Sequence, residues 1–424
     1  MNKIIEIMAP AGSYESLAAA IKAGANSVYF GVGELNMRSR SANFQYDDLA
    51  KVIKICKEHN IKSYLTLNTI MYDEDLEQMK KICQIAKEAG ITAVIASDIS
   101  AISYANSIGL EIHISTQANV SNFESAKFYS KFADVIVLAR ELKLERIKQI
   151  CQKIKEQNIT GPKGELVKIE LFAHGALCVS ISGVCYMSLA QYGSSANRGA
   201  CFQACRRTYR VIDEETGDEL QIDNKFVMSP KDLCTIKYLD KILDTGISVL
   251  KIEGRGRSPD YVYTTVKAYR EAADAYLAGE FTEQKGEDWV KELETVFNRG
   301  FWHGGYYLGH KLGEWCNVYG SKATKEKRFV GTVKNYFQKA NVAEVYLESE
   351  GLKVGDDLII TGSTTGVVKA KVKSIRVSGS GDIDDIRVTD DQDVTEAEKG
   401  SSVTIHVKEK LRAGDKVYLL VDRS

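Results

Sequence analysis

Five of the chain's nine cysteines are concentrated in one segment that is also rich in glycine and arginine. They are Cys178, Cys185, Cys201, Cys205 and Cys234. Thiolates from separate positions of a chain can bind a metal ion or an iron–sulfur cluster. The sequence shows no secretory signal, and in a reducing compartment clustered cysteines indicate metal or redox chemistry rather than disulfides. The segment is therefore predicted to hold a thiolate-ligated cofactor.

The cysteine spacing favours an iron–sulfur cluster over zinc and over a set of unrelated cysteines. Structural zinc sites use two close Cys-x₂₋₄-Cys pairs, and only Cys201 and Cys205 are that close here. A cluster tolerates ligands from well-separated loops. Cys178, Cys185 and Cys201 are the firmest candidate ligands. Spacing alone leaves the fourth position open between Cys234 and Cys205.

Basic side chains accompany the cysteines. Arg206 and Arg207 lie within the segment, and Arg255 and Arg257 follow in "KIEGRGRS". Guanidinium groups bind carboxylates and phosphates in a two-pronged geometry, so Arg207, Arg255 and Arg257 are candidate substrate-binding residues for a charged metabolite or an RNA backbone. The alternative is that these cations offset the charge of the thiolates.

Eight short apolar runs alternate with amphipathic helical patterns in the first 260 residues, which predicts βαβ units and a parallel sheet. The runs cover residues 4–10, 27–32, 62–68, 93–97, 111–115, 134–139, 168–174 and 248–254. This number and spacing of strands is typical of a (β/α)₈ TIM-like barrel. A doubly wound sheet is the alternative, but "APAGS" after the first strand is not its phosphate-binding loop.

Polar residues stand where the apolar runs end, and in a barrel these positions meet at one mouth. They include Asn36, Arg38, Asn68, Asp98, Gln117, Asn119, Arg140, Glu141, His174, Glu253 and Arg255. His174 and Glu253 are the candidate catalytic, proton-handling groups. The connection after the seventh strand, residues 175–247, is unusually long, contains the cysteines and is expected to include a short strand at 225–230.

The chain divides into three predicted parts. Residues 1–280 form the barrel with the cysteine-bearing insertion at 175–247. Residues 281–325 form a helical and Gly/aromatic connector. Short strands separated by turns predict a small C-terminal all-β barrel domain over 326–424.

Composition limits the partners and the location. The formal net charge is −1, so an RNA partner requires a local basic patch. The sequence contains no run of eighteen apolar residues, and its beginning reads as a strand rather than a signal peptide. We therefore expect a cytoplasmic protein with no membrane partner.

Several motifs resemble the collagenase-like peptidase family U32. They are "APAG" (9–12), "FAHGALCVSISGVC" (172–185), "ANRGACFQACR" (196–206), "SPKDLC" (229–234), "LKIEGRGRSPDYV" (250–262) and "FNRGF" (297–301). The motifs occur in order through most of the chain.

The resemblance implies oxygen-independent hydroxylation, because similar members convert the wobble uridine of tRNA to 5-hydroxyuridine, with prephenate implicated as a required metabolite. Relatives hydroxylate an rRNA cytidine or a quinone ring, and several hold a 4Fe–4S cluster. By this resemblance Cys178, Cys185 and Cys201 are ligands, with the fourth matching Cys234 in some members and Cys205 in others. The implied partners are tRNA, a small anionic metabolite and an electron-donor protein.

The older family name implies a peptidase, which is the main alternative. The chain has six histidines and no H-E-x-x-H metal motif. A Cys178–His174 dyad would compete with a cluster for the same thiol. The second alternative is hydroxylation of another substrate, an rRNA cytidine or a quinone ring, or a non-catalytic iron–sulfur protein. The sequence is best interpreted as an RNA-modifying hydroxylase.

Overall fold

A closed barrel of eight parallel strands forms the main body of the computed structural model, which describes residues 4–41, 43–220, 226, 228–309, 314–377 and 392–423. The barrel strands are β1 Glu6–Pro10, β2 Ser27–Phe30, β3 Lys62–Leu67, β4 Ala93–Ala96, β5 Ile112–Ile114, β6 Val135–Val137, β7 Lys168–Gly175 and β11 Val249–Ile252. Strand β11 closes the ring, because Leu250 is in register with Ile7 of β1 and with Leu171 of β7. The predicted barrel is confirmed, and each of the eight apolar runs contains one strand.

Helices cover the outside of the barrel. They are α1 Tyr14–Lys22, α2 Leu49–Glu58, α3 Leu76–Ala89, α4 Ile99–Ser107, α5 Phe123–Tyr129, α6 Leu144–Glu156 and α9 Pro259–Leu277. The side chains of Ser13, Asp98 and Asn122 accept backbone N–H groups at the starts of α1, α4 and α5. Gly90 ends α3 at φ 78°, a conformation that costs glycine little. Local capping thus fixes where α1, α4 and α5 begin and where α3 ends.

The segment between β7 and β11 contains short elements rather than one helix. They are α7 Met187–Tyr192, β8 Val211–Ile212, β9 Glu219–Leu220, β10 Asp232–Cys234 and α8 Leu239–Leu243. Strand β10 extends the barrel sheet by pairing antiparallel with β7 and parallel with β12 (Phe301–His303). The strand expected at 225–230 lies partly outside the described residues, and the described strand begins at Asp232.

The C-terminal region is all-β and follows α10 (Glu283–Glu294). Its strands are β13 Lys325–Phe337, β14 Val342–Leu347, β15 Leu352–Lys353, β16 Asp357–Gly362, β17 Gly366–Lys371, β18 Ile375–Val377, β19 Gln392–Val394, β20 Glu396–Ala397, β21 Ser402–His406 and β22 Lys416–Asp422. Strand β17 packs on α1 so closely that a Cβ at Gly366 would lie 2.9 Å from the backbone of Ala18. Lys327 of β13 also pairs with Asp260 of α9, so this region is attached to the barrel's outer surface.

No helix in the part of the chain that the structure describes is long and apolar enough to span a bilayer.

Charged side chains occupy the barrel interior beneath its mouth. The ammonium of Lys251 lies 2.8 Å from Glu170, and the side chains of both residues are at most 6% exposed. His113 is also buried, with its Nδ1 atom 3.9 Å from the second carboxylate oxygen of Glu170. A buried pair adds little net stability, but removing one partner leaves an uncompensated charge.

We expect Glu170→Gln to lower the free energy of unfolding by about 3–5 kcal/mol, because the Lys251 ammonium would lose the carboxylate that pairs with it. Urea unfolding followed by tryptophan fluorescence would measure the change. The matched control is Glu58→Gln, which breaks an exposed pair with Lys54 and should cost less than about 1 kcal/mol. Equal midpoints for Glu170→Gln and the unmodified protein would contradict this account of the interior.

Candidate functional site

A cavity of about 310 Å³ opens at the carboxyl ends of the barrel strands, beneath the cysteine-bearing segment. Its walls come from the loops after β2, β3, β5, β6, β7 and β11, which the sequence predicted to meet at one mouth. One residue from each of these loops is Arg38, Asn68, Gln117, Arg140, Cys178 and Glu253. The cavity therefore collects polar side chains that are far apart in the chain.

Four of the five clustered cysteines line this cavity: Cys178, Cys185, Cys201 and Cys205. The backbone N–H of Met187 lies 3.4 Å from the sulfur of Cys185, and that of Gln203 lies 3.4 Å from the sulfur of Cys201. Hydrogen bonds of this kind stabilise thiolates and tune iron–sulfur clusters. The cysteine segment thus brings four thiols to the cavity, together with backbone N–H groups that point at two of their sulfur atoms.

Close backbone approach and Arg198 hold the cysteine segment over the barrel, and Arg206 binds within the segment. Gly199 has φ +85°, and a Cβ there would lie 2.2 Å from the backbone oxygen of Asn36. Arg198 binds Asp75 at 2.5 Å, next to the start of α3. Arg206 donates to the backbone oxygen of Leu177 at 2.6 Å. Arg198 and Arg206 therefore have structural partners of their own.

Cys234 does not reach the cavity. It is fully buried in β10, paired in register with His174 on β7. Burial raises the pKa of its thiol to about 12, with Tyr269 as a neighbour rather than the other four cysteines. Burial also raises the pKa of Cys205, to about 11, but there the neighbouring thiols include Cys178 and Cys201. The structure places Cys205, and not Cys234, with the other three.

Four cysteine thiols that line one cavity are ligands of the type that an iron–sulfur cluster takes. In the part of the chain that the structure describes, no three His, Cys, Asp or Glu side chains are grouped closely enough to hold one ion. A tetrahedral zinc ion would draw its sulfur ligands to about 4 Å of one another. A cluster places inorganic iron and sulfide between its thiolates, so these stand further apart.

Positive side chains also converge on the cavity. They are Arg38, Arg140, Arg206, Lys251, Arg255, Arg257 and Arg299. Arg255 is only 4% exposed and donates to the Thr66 hydroxyl at 2.9 Å, while Arg140 donates to the backbone oxygen of Ala176 at 3.0 Å. Burial lowers the pKa of Arg255 to about 10. Among the described residues no carboxylate lies within ion-pair distance of Arg140 or Arg255, so both could bind an anion.

Glu253 is held as a carboxylate. Its Oε1 atom accepts from Arg38 at 3.0 Å. Burial alone would raise the pKa of Glu253, but the charges of Arg38, Arg257 and Arg140 outweigh it and bring the pKa to about 2. Such a group is ionised at neutral pH and holds no proton to give. Glu253 lines the cavity as predicted, yet its environment suits an anchor for Arg38 better than a proton donor.

His174 lies behind the cavity wall and does not line it. Its ring is 2% exposed and packs among Tyr261, Tyr269 and Phe301. Burial lowers the pKa of His174 to about 3, so the imidazole is neutral. His174 therefore does not contact the cavity in which it was expected to transfer protons.

The candidate anion-binding arginines separate into two groups. Arg255 and Arg257 line the cavity, and Arg257 stacks on Phe297 at 3.5 Å. Arg207 is exposed and instead donates to the Tyr192 hydroxyl. Arg140 lines the cavity but was predicted only as one of the polar residues at the mouth. Its position where the sixth strand ends was the available signal.

Comparison with known proteins matches residues 12–317 to peptidase family U32. The chain is 53% identical over 414 residues to a collagenase of Porphyromonas gingivalis, covering 97% of each protein. It is 31% identical over 376 residues to a tRNA hydroxylation protein of Bacillus subtilis, covering 85% of this chain and 84% of that protein. It is 34% identical over 303 residues to a 23S rRNA 5-hydroxycytidine synthase of Escherichia coli, covering 70% of this chain and 44% of that protein.

The burial of His174 predicts a pH dependence of stability. The pKa of His174 is about 3 in the folded chain and the ordinary 6.5 in the unfolded chain. Between these two values only the unfolded chain binds a proton at this residue. The free energy of unfolding should therefore drop by about 2 kcal/mol from pH 7 to pH 5 through this residue. Urea midpoints at the two pH values should differ less in His174→Phe. The exposed His59→Gln should retain the full difference, and an unchanged dependence in His174→Phe would contradict the assignment.

Proposed function

The chain belongs to peptidase family U32, and we propose that it is an RNA-modifying enzyme that hydroxylates the wobble uridine of tRNA to 5-hydroxyuridine without molecular oxygen. One observation carries the proposal: a single cavity combines four cysteines with an excess of arginines. Relatives named for tRNA and rRNA hydroxylation, at 31% and 34% identity, support this class of substrate.

Peptidase activity is the second candidate, and the 53% identical relative named collagenase favours it. A cysteine peptidase needs a base within hydrogen-bond reach of the thiol. No histidine of the described chain lines the cavity, and His174 is a buried neutral imidazole. The Cys178–His174 dyad therefore has no support in the geometry, and the cavity is better suited to the hydroxylase.

The four cysteines that line the cavity would hold a 4Fe–4S cluster: Cys178, Cys185, Cys201 and Cys205. Such a cluster, when bound, supplies electron transfer or a site for an oxygen donor. N–H groups directed at Cys185 and Cys201 would help to hold these thiols as thiolates. An external electron-donor protein, a partner in this proposal, would reduce the cluster itself, whereas the uridine ring loses two electrons when its C5–H becomes C5–OH and passes them to the oxygen donor.

The arginines would hold a small polycarboxylate, for which prephenate is the candidate. Arg255 is fixed by Thr66 and Arg140 by Ala176, so both guanidinium groups are already positioned before an anion arrives. Preorganised donors lose little entropy on binding. Glu253 holds Arg38 in place at the same wall. These side chains would bind and orient the metabolite beside the cysteines.

We expect Ala substitution of Cys205 to remove the iron, and Ala substitution of Cys234 to retain it, because only Cys205 shares the cavity with the other three thiols. Iron and sulfide analysis after anaerobic purification, with visible absorbance, would measure this; the unmodified chain should bind about four irons. Cys178→Ala is the positive control for loss. Iron retained in Cys205→Ala but lost in a folded Cys234→Ala variant would reverse the assignment.

Deleting the gene should remove one hydroxylated uridine from digested tRNA, and the chain supplied from a plasmid should restore it. Arg255→Lys keeps the charge but loses the guanidinium fork, so restoration should fall at least about tenfold while bound iron is unchanged. Mass spectrometry of the nucleosides measures both effects. Arg210→Lys, an exposed arginine of the cysteine segment, is the matched control.

Two results would contradict the function proposed for this chain. One is a deletion strain whose tRNA nucleosides are unchanged. The other is gelatin cleavage by the purified protein that is abolished in Cys178→Ala.

A further inference from the structure

Four side chains stack on one another beside the cavity. The guanidinium of Arg40 lies 3.7 Å from the centre of the Phe202 ring, and Phe202 lies 4.8 Å from Tyr192 with an interplanar angle of 30°. Arg207 stands over Tyr192 at 5.1 Å and donates to its hydroxyl. We call Arg40, Phe202, Tyr192 and Arg207 the cation–aromatic ladder. Its order, Arg–Phe–Tyr–Arg, leaves a guanidinium at each end.

The ladder lies at the rim of the cavity. Phe202 directly follows Cys201, and Arg40 belongs to the same loop as Arg38; both Cys201 and Arg38 line the cavity. The two arginines at the ends of the ladder are exposed, and Tyr192 is 39% exposed. The ladder is therefore accessible to a molecule that approaches the cavity.

Neither arginine of the ladder has its charge neutralised nearby. Among the described residues, no carboxylate lies within ion-pair distance of Arg40 or Arg207, whereas Arg198 of the same segment binds Asp75. A ladder that only fastened the cysteine segment to the loop after β2 would need one cation at the Phe202 face. The second exposed guanidinium, at Arg207, has no such role.

Large apolar side chains are also exposed on the cysteine segment, shortly before Tyr192 in the chain. Tyr186 is 73% exposed, and Ile181 and Val184 are 58% and 52% exposed. Val184 and Tyr186 flank Cys185 in sequence, and both Ile181 and Cys185 line the cavity. Exposed apolar side chains grouped around a cavity mouth mark a binding surface.

We propose that the cation–aromatic ladder and Tyr186 form the surface on which a single-stranded segment of RNA docks. The exposed Tyr186 ring and the outer planes of the two guanidinium groups can stack on unpaired bases, and the guanidinium charges can bind the phosphates between them. Arginines without carboxylate partners favour a polyanion over an apolar protein partner. The inference rests on the proposed function, which identifies the nucleic acid as tRNA. It adds the residues that would guide a base into the cavity.

The test is fluorescence anisotropy with a labelled oligouridylate of about twelve nucleotides, within the usual site size for single strands. Arg40→Ala/Arg207→Ala should weaken binding at least tenfold and lower the slope of log affinity against log salt by roughly 0.7 for each phosphate that the protein no longer neutralises. Tyr186→Ala should weaken binding roughly 5- to 150-fold with an unchanged salt slope, because stacking carries no charge. Tyr186→Phe keeps the ring and should bind normally.

The charge control is Lys153→Ala/Lys155→Ala. These lysines are exposed in the last turn of α6, at the opposite end of the barrel from the cavity. Their removal costs the same two charges and should leave affinity and salt slope unchanged. Thermal unfolding and iron content of each variant should match the unmodified chain, which separates a docking defect from a folding defect.

Normal oligouridylate binding by the Arg40/Arg207 double variant would overturn the inference, as would an equal fall in affinity for the control pair. The inference would also be overturned if the double variant kept its affinity for RNA but lost a protein that copurifies with the unmodified chain. Failure of the proposed function has a separate signature: the unmodified chain would restore no nucleoside in the deletion strain, although RNA binding still depended on the ladder. If the chain restores the nucleoside and the double variant does so equally well, only the docking surface is wrong.

Discussion

The cavity carries more positive charge than its own carboxylates can balance, and the rest of the site depends on this imbalance. Lys251 and Arg38 have acidic partners in Glu170 and Glu253, whereas Arg140 and Arg255 bind neutral oxygens and, among the described residues, form no ion pair. Buried cations are costly without compensation. Thiolates of the cysteines that line the cavity, and a bound anion, are two sources of negative charge that could compensate these cations. The cysteines and arginines are thus parts of one electrostatic arrangement.

This arrangement also bears on the choice between peptidase and RNA hydroxylase, the two activities for which relatives of the chain are named. Peptide hydrolysis by a thiol needs one nucleophile and one base, and it has no use for several arginines without acidic partners. His174 is the only histidine in the motifs that suggested a dyad, and its neutral ring packs among Tyr261, Tyr269 and Phe301. A polyanionic substrate or cosubstrate accounts for the cations directly. The chemistry of the cavity therefore agrees with RNA hydroxylation better than with collagen cleavage.

The barrel could be predicted from sequence because its signals are local. Apolar runs, capping residues and helical periodicity each depend on a few neighbours, and they located all eight strands. The polar residues at the strand ends followed from the same pattern. Which side chains face the cavity could not be predicted, because it depends on how a long segment folds back over the mouth. Cys234 looked equivalent to Cys205 by spacing, but β10 adds it to the barrel sheet and buries it against β7.

The same reasoning explains why Arg140 lines the cavity, whereas Arg207, a predicted substrate-binding residue, does not. Arg207 adjoins the cysteines in sequence but points to Tyr192 on the rim, whereas Arg140 is distant in sequence and lies in the cavity. The cysteine segment is fastened to the barrel by Arg198 at the loop after β3 and by Phe202 under Arg40 at the loop after β2. Its fold therefore places the thiols inward and the cation–aromatic ladder outward. Phe202 of the ladder directly follows Cys201 in the chain. If RNA binding at the ladder moved this segment, the cysteines would move with it.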